Sequence, residues 1–204
     1  MASSPLEYTK KVIVIGDSAV GKTSFIARVT EGRFISDHKA TIGVDCAVKS
    51  IKRGESTTIR LALWDIGGQE AFRGLMPQFA RGSSGIIIVC DVTRKATVDA
   101  VRIWKNEADK VLTKLPPCIL LVNKFDLPKH IHSVSIEELD TLTEECKLSG
   151  WFQTSVKENV NLQVSLEDLS DLMVQFDEGS LQDNDTITTL QRQYHAEKRN
   201  CMCD

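Results

Sequence analysis

The stretches "KKVIVIG" (10–16), "GIIIVCD" (85–91) and "CILLVN" (118–123) are short, continuous apolar runs. Runs of that length without polar alternation are the pattern of strands buried on both faces of a parallel sheet. "VDCAVKSIKRGESTTIRLALWD" (44–65) reads instead as two strands around a turn at Gly54, with Ile59, Leu61 and Leu63 alternating with Arg60 in the second. "WFQTS" (151–155) is the last strand. Helical spacing fills the gaps. "GKTSFIARVTEG" (21–32) is closed by Gly32, and "TVDAVRIWKNEADKVLTKL" (97–115) places Val101, Trp104, Ala108 and Val111 on one face. "SIEELDTLTEECK" (135–147) opens with Ser135 and has Glu138 three residues on, a capping box. "NLQVSLEDLSDLMVQF" (161–176) repeats Leu162, Leu166, Leu169, Met173 and Phe176 along one face.

Strands alternating with helices predict an α/β fold: a doubly wound, mostly parallel six-stranded sheet with one antiparallel edge strand and helices on both faces. Ligands of such sheets bind at the carboxyl ends of the strands. Residues 1–8 are expected to be a flexible N-terminus and 9–177 one domain. From 178 to 204 the chain turns polar, acidic and amide-rich, and a flexible tail is expected.

Bulk properties narrow the partners. Net charge is −3 and pI about 5.9, so no nucleic-acid partner is expected. The N-terminus lacks a signal-peptide pattern, and no apolar run approaches the ~20 residues needed to cross a bilayer. Of six cysteines, Cys46, Cys90, Cys118 and Cys146 show neither metal-ligand nor disulfide spacing. A reducing, cytosolic compartment is expected. His130 and His132 in "PKHIHS" lack further ligands and read as solvated loop histidines.

The chemistry begins at "GDSAVGKT" (16–23), directly after the first strand. Gly16-x4-Gly21-Lys22-Thr23 fits the P-loop, which makes the fold a P-loop NTPase. The backbone of Ser18, Ala19, Val20 and Gly21 would cradle phosphates at the start of a helix that continues through Ser24. Lys22 supplies charge to the β and γ phosphates, and the Thr23 hydroxyl can ligate Mg²⁺.

"NKFD" (123–126) follows another strand on the same edge and names the base. The Asp126 carboxylate can accept two donors from the Watson–Crick edge of guanine, which adenine does not offer. Leaving that carboxylate unpaired disfavours the wrong base by a factor of about 10⁴. Asn123 would tie this loop to the P-loop, and the Lys124 stem can lie over the base. "TSVK" (154–157) follows the last strand, where backbone N–H groups of Ser155, Val156 and Lys157 can meet the guanine carbonyl.

"WDIGGQE" (64–70) supplies the means of hydrolysis. Asp65 can hold the metal through a water, Gly68 allows backbone to approach the γ-phosphate, and Gln69 can orient the attacking water. Thr41, in "KATIGVD", could complete the Mg²⁺ shell only when a γ-phosphate is present. Two loops held by one phosphate and released on its loss make a switch.

These motifs, in this order and spacing, resemble the small GTPases of the Ras superfamily over about residues 9–177. Within it, "TIGVD", "RGSSGIIIVCDVT" and the C-terminal C-x-C are similar to the Rab branch. Arf-, Rho- and Ran-like patterns fit less well. Ile66 and "SVKEN" resemble the Rab branch linked to lysosome-related organelles. The resemblance implies a slow GTP hydrolase acting as a GTP/GDP switch in vesicle or organelle trafficking, with an activating protein to speed it. The alternative is a hydrolysis-deficient, GTP-bound scaffold. Phe34 is the family's aromatic against the guanine edge. An exchange factor, effectors, a prenylation escort and a GDP-dissociation inhibitor are implied, as is a monomer in the cytosol and on the cytoplasmic face of membranes. Effectors would read a surface including Ile42, Trp64 and Phe79; the other reading of the two aromatics is that they cover core.

Three departures stand out. Gly67 replaces the usual alanine, which predicts a looser second switch and slowed hydrolysis. Cys46 replaces a phenylalanine of the aromatic surface. Gly74 and Pro77 weaken or kink a switch helix in "AFRGLMPQFARGS". At the C-terminus, "CMCD" could be a metal clip, a disulfide or a lipid site. The resemblance favours prenyl groups on Cys201 and Cys203, and two lipids anchor where one binds reversibly. Asp204 leaves single and double modification both open.

Overall fold

The computed structural model describes residues 6–36, 41, 43–54, 57–67, 76–112 and 114–179. Ile42, Gly68, Gln69, Gly74, Cys201 and Cys203 lie outside them.

Six strands form one sheet in the order β2-β3-β1-β4-β5-β6. They are β1 (Leu6–Ile15), β2 (Val44–Arg53), β3 (Thr57–Ile66), β4 (Gly85–Asp91), β5 (Cys118–Asn123) and β6 (Gly150–Gln153). All pair in parallel except β2, which runs antiparallel to β3 at the edge. The expected topology is the observed one. The helices are α1 (Lys22–Glu31), α2 (Met76–Ala80), α3 (Lys95–Asp109), α4 (Ile136–Glu145) and α5 (Leu162–Gly179). None is long and apolar enough to cross a membrane, among the described residues.

The period-two alternation of the central strands sorts their side chains into two cores. Val12, Val14, Ile87, Val89, Ile119 and Leu121 face α1 and α5. Ile13, Ile15, Ile86, Ile88, Leu120 and Val122 face α2, α3 and α4. With both faces covered, these strands need no polar side, which is why they read as unbroken apolar runs.

Some boundaries differ from the sequence reading. β1 starts at Leu6, because residues 6–10 pair with Thr57–Leu61 of β3. α3 ends at Asp109 rather than 115, well ahead of Pro116 and Pro117. α5 runs through Gly179. The capping box of α4 is complete: Glu138 N–H donates to Ser135 Oγ, and Ser135 N–H to Glu138 Oε2. His132 is not simply solvated. Its Nε2 lies 2.8 Å from the Leu127 carbonyl, and its ring meets Phe125 edge-on.

Candidate functional site

Every strand parallel to β1 ends on the same edge of the sheet, so the loops after β1, β3, β4, β5 and β6 converge there. The loop after β1 is shaped by two glycines. Gly16 has φ 140°, and a Cβ there would sit 2.2 Å from the Val89 carbonyl oxygen of β4. Gly21 has φ 108°, and its Cβ would meet Asn123 Nδ2 at 2.4 Å. Only glycine satisfies both backbone angle and space. α1 then starts at Lys22 with no side-chain cap, so its first N–H groups remain available to an anion.

Lys22 is buried and donates to the carbonyls of Gly16 (2.9 Å) and Asp17 (2.8 Å). Burial pushes its ammonium down to about 8, partly offset by the nearby Asp65 and Asp17 carboxylates. A buried cation against a loop of small residues favours an anionic partner that would restore its charge.

Three oxygens gather beside it. Thr23 Oγ1 donates to Asp65 Oδ2 at 2.6 Å and lies 2.7 Å from Thr41 Oγ1. Thr41 Oγ1 is 3.5 Å from the same carboxylate oxygen. Asp65 Oδ1 is buried with no hydrogen-bond partner. Burial holds the Asp65 carboxyl above its usual range, against the Thr23 hydrogen bond and the Lys22 charge. Two hydroxyls and an orphaned carboxylate oxygen are the all-oxygen donor set that a hard divalent cation takes.

Asn123 crosses from β5 to the P-loop. Its Nδ2 donates to the Val20 carbonyl at 2.8 Å, and its Oδ1 accepts from Val156 N–H at 3.1 Å. One side chain thus joins the loops after β1, β5 and β6. Lys124 adopts φ 69°, rare for a residue with a side chain. Its Nζ reaches Asp91 Oδ2 at 2.7 Å. Ser155 Oγ donates to Asp126 Oδ1 at 2.6 Å, fixing the carboxylate's orientation, and Ser155 N–H bonds the Val160 carbonyl. Phe34 is exposed, with the Arg28 guanidinium 5.7 Å from its ring centre.

The sequence reading missed three members. Asp91 ends β4 and is 1% exposed, yet it accepts from Lys124, Arg94 Nε and both Thr93 donors. Burial alone would raise its carboxyl, but hydrogen bonds from Lys124 and Thr93 outweigh it and hold it below the usual range. Arg94 also donates to the Ser18 carbonyl at 3.0 Å, bracing the P-loop from β4. Arg28 bonds the loop after β6. Both act through backbone carbonyls, which leave no sequence pattern.

Trp64 and Phe79 lie beyond the site on the α2 side, their ring centres 6.4 Å apart. Both are partly buried, and Lys11 Nζ lies 4.7 Å over the Trp64 ring. Cys46 is exposed and pairs across the β2–β3 ladder with Trp64.

A P-loop, an adjoining oxygen cluster and an oriented aspartate after β5, on one edge of a mostly parallel sheet, define the class of guanine-nucleotide-binding P-loop proteins. The Ras family model matches residues 11–175. Rab-7L1 of Homo sapiens is 40% identical over 169 residues, covering 80% of this chain and 82% of that protein. Rab-32A of Dictyostelium discoideum is 38% identical over 191 residues, 88% of this chain and 87% of its own. Rab-32 of Mus musculus is 40% identical over 161 residues, covering 76% and 71%. The chain belongs to the Ras family, and within it to the Rab-type small GTPases. It is therefore a guanine-nucleotide-binding GTP hydrolase of membrane trafficking, and this membership favours a cycling switch over a non-hydrolysing scaffold.

Proposed function

We propose that the switch is set by a metal-bound GTP held between Thr23, Thr41 and Asp65. The observation that carries this reading is the meeting of two threonine hydroxyls at a buried carboxylate whose second oxygen has no partner. Thr23 belongs to the P-loop helix, Asp65 to β3 and Thr41 to the loop before β2, so the cluster joins three chain segments. Mg²⁺ bound there would neutralise charge on the β and γ phosphate oxygens.

The remaining roles follow. The backbone of Ser18 through Ser24 cradles phosphate, with Lys22 as the buried charge. Asn123, Lys124 and Asp126 hold guanine together with Ser155, Val156, Lys157 and Phe34. Gly68 meets the γ-phosphate and Gln69 orients the attacking water. Loss of the γ-phosphate frees Thr41 and the loop after β3. Effectors then lose the surface made by Ile42, Trp64 and Phe79. Prenyl groups on Cys201 and Cys203 tether a monomer to the cytoplasmic face of vesicle or organelle membranes. An escort, an exchange factor, an activating protein and a GDP-dissociation inhibitor move it through the cycle.

Single-turnover hydrolysis of preloaded GTP tests the reading. The wild type should hydrolyse slowly with Mg²⁺, and Gln69→Leu should abolish turnover while retaining nucleotide. GTP held uncleaved by the wild type, even with an activating protein, would refute it.

A further inference from the structure

Arg28 sits on α1, half-buried, six positions after the P-loop lysine. Its guanidinium is used in every direction. Nε donates to the Val156 carbonyl at 3.1 Å and Nη2 to the Lys157 carbonyl at 2.8 Å. Nη1 donates to the Gly32 carbonyl at 3.0 Å, just past the end of α1. Its Cζ lies over the Phe34 ring, 5.7 Å from the centre. Phe34 and the 155–157 loop belong to segments more than a hundred residues apart, and Arg28 touches both.

We infer that Arg28 is a positioning residue that sets the width of the guanine slot by clasping the Phe34 wall to the 156–157 wall. The inference rests on the reading of Phe34 and residues 155–157 as the surroundings of the base. A base escapes when those walls part. Separately, the Phe34 segment hangs from the end of α1 and the 156–157 loop from the end of β6. Through Arg28 they share one rigid, planar group whose donors are fixed relative to one another. A lysine keeps the charge beside the ring but is a single point. Its three donors all leave from one atom, so it cannot span carbonyls set apart on two segments as the planar fork does. The loop itself is held at its other side by Asn123 Oδ1 and by the Ser155–Val160 bridge, so Arg28 completes an enclosure rather than creating the loop.

The test is the dissociation of fluorescently labelled GDP from the full chain, followed by stopped flow. Arg28→Ala should release GDP about tenfold faster, the order expected for losing several hydrogen bonds at one group. Arg28→Lys should still release it at least about threefold faster, and it carries the test if the alanine variant does not fold. Arg53→Ala controls for general loosening. Arg53 joins β2 to α5 through Asp171 and Ser170, away from the slot, and its removal should leave the rate unchanged.

Inosine diphosphate lacks the amino group that Asp126 reads but keeps the carbonyl. Arg28→Ala should accelerate its release by the same factor as that of GDP. A wild-type rate in both Arg28 variants would overturn the inference. So would equal acceleration by Arg53→Ala, or acceleration confined to GDP. Asp126→Asn separates this failure from failure of the underlying reading. Xanthine presents a carbonyl where guanine presents the amino group, so this variant should exchange GDP for xanthosine diphosphate. If it does and Arg28 proves neutral, only the inference fails. If it does not, the guanine assignment fails and the inference with it.

Discussion

Asn123 Nδ2 donates to the Val20 carbonyl oxygen at 2.8 Å, pinning the P-loop to the end of β5. The same side chain takes the Val156 N–H, and it is 3% exposed. Asn123→Ala would leave a buried carbonyl and a buried N–H without partners, each worth about 1–3 kcal/mol. The variant should lose at least about 2 kcal/mol of unfolding free energy in urea at matched GDP concentration. Unchanged denaturation would mean that the three loops are held together by other contacts.

Gly16→Ala should fail to bind nucleotide. Its methyl group would lie 2.2 Å from the Val89 carbonyl oxygen, an atom of the sheet's central backbone that cannot swing aside. Nucleotide content of the purified protein, read by chromatography after denaturation, should fall from near stoichiometric to near zero. Full occupancy would contradict the close approach.

Lys22 makes nucleotide binding depend on pH in the alkaline range. Burial lowers its ammonium to about 8 from 10.5. In the folded protein it therefore loses its proton above pH 8, while in the unfolded chain it keeps it to about 10.5. Stability of the nucleotide-free protein should rise with pH across that window, because the unfolded state holds more protons there. Binding of phosphate has the opposite sign, since it restores the charged form. Affinity should be full below pH 8 and fall by up to about tenfold per pH unit above it. Calorimetry of nucleotide-free protein in buffers of different ionisation enthalpy should show proton uptake at pH 9 and little at pH 7.

Gly67→Ala should speed single-turnover GTP hydrolysis by about two- to fivefold, the effect of removing chain freedom worth about 0.4–1 kcal/mol. Gly67 N–H donates to the Gly43 carbonyl at 3.1 Å, so the two switch segments are already joined at this residue. What the methyl group would restrict is the chain leading on toward Gln69. An unchanged rate would show that the glycine is not what sets the pace.

Much of this was legible in the sequence for one reason. The P-loop, "NKFD" and "WDIGGQE" each sit where an apolar run stops, and in a parallel sheet all such ends meet on one edge. Topology followed from the alternation of unbroken apolar runs with helical spacing. Boundaries did not. β1 gains Leu6 to Thr9 only because β3 lies alongside to pair with them, and that neighbour is remote in sequence.

The sequence by itself determined the chemistry that the side chains bring: the glycines that let the P-loop turn, the lysine and hydroxyl beside it, and an aspartate matched to guanine. These are properties of residue types at short spacings. Tertiary structure decided how those groups are held. Asp91 becomes the buried partner of Lys124, Ser155 aims Asp126, and Arg28 bridges two distant loops. Each of these contacts joins segments far apart along the chain or ends on a backbone carbonyl. A carbonyl is identical in every residue, so only the fold can choose which one is met.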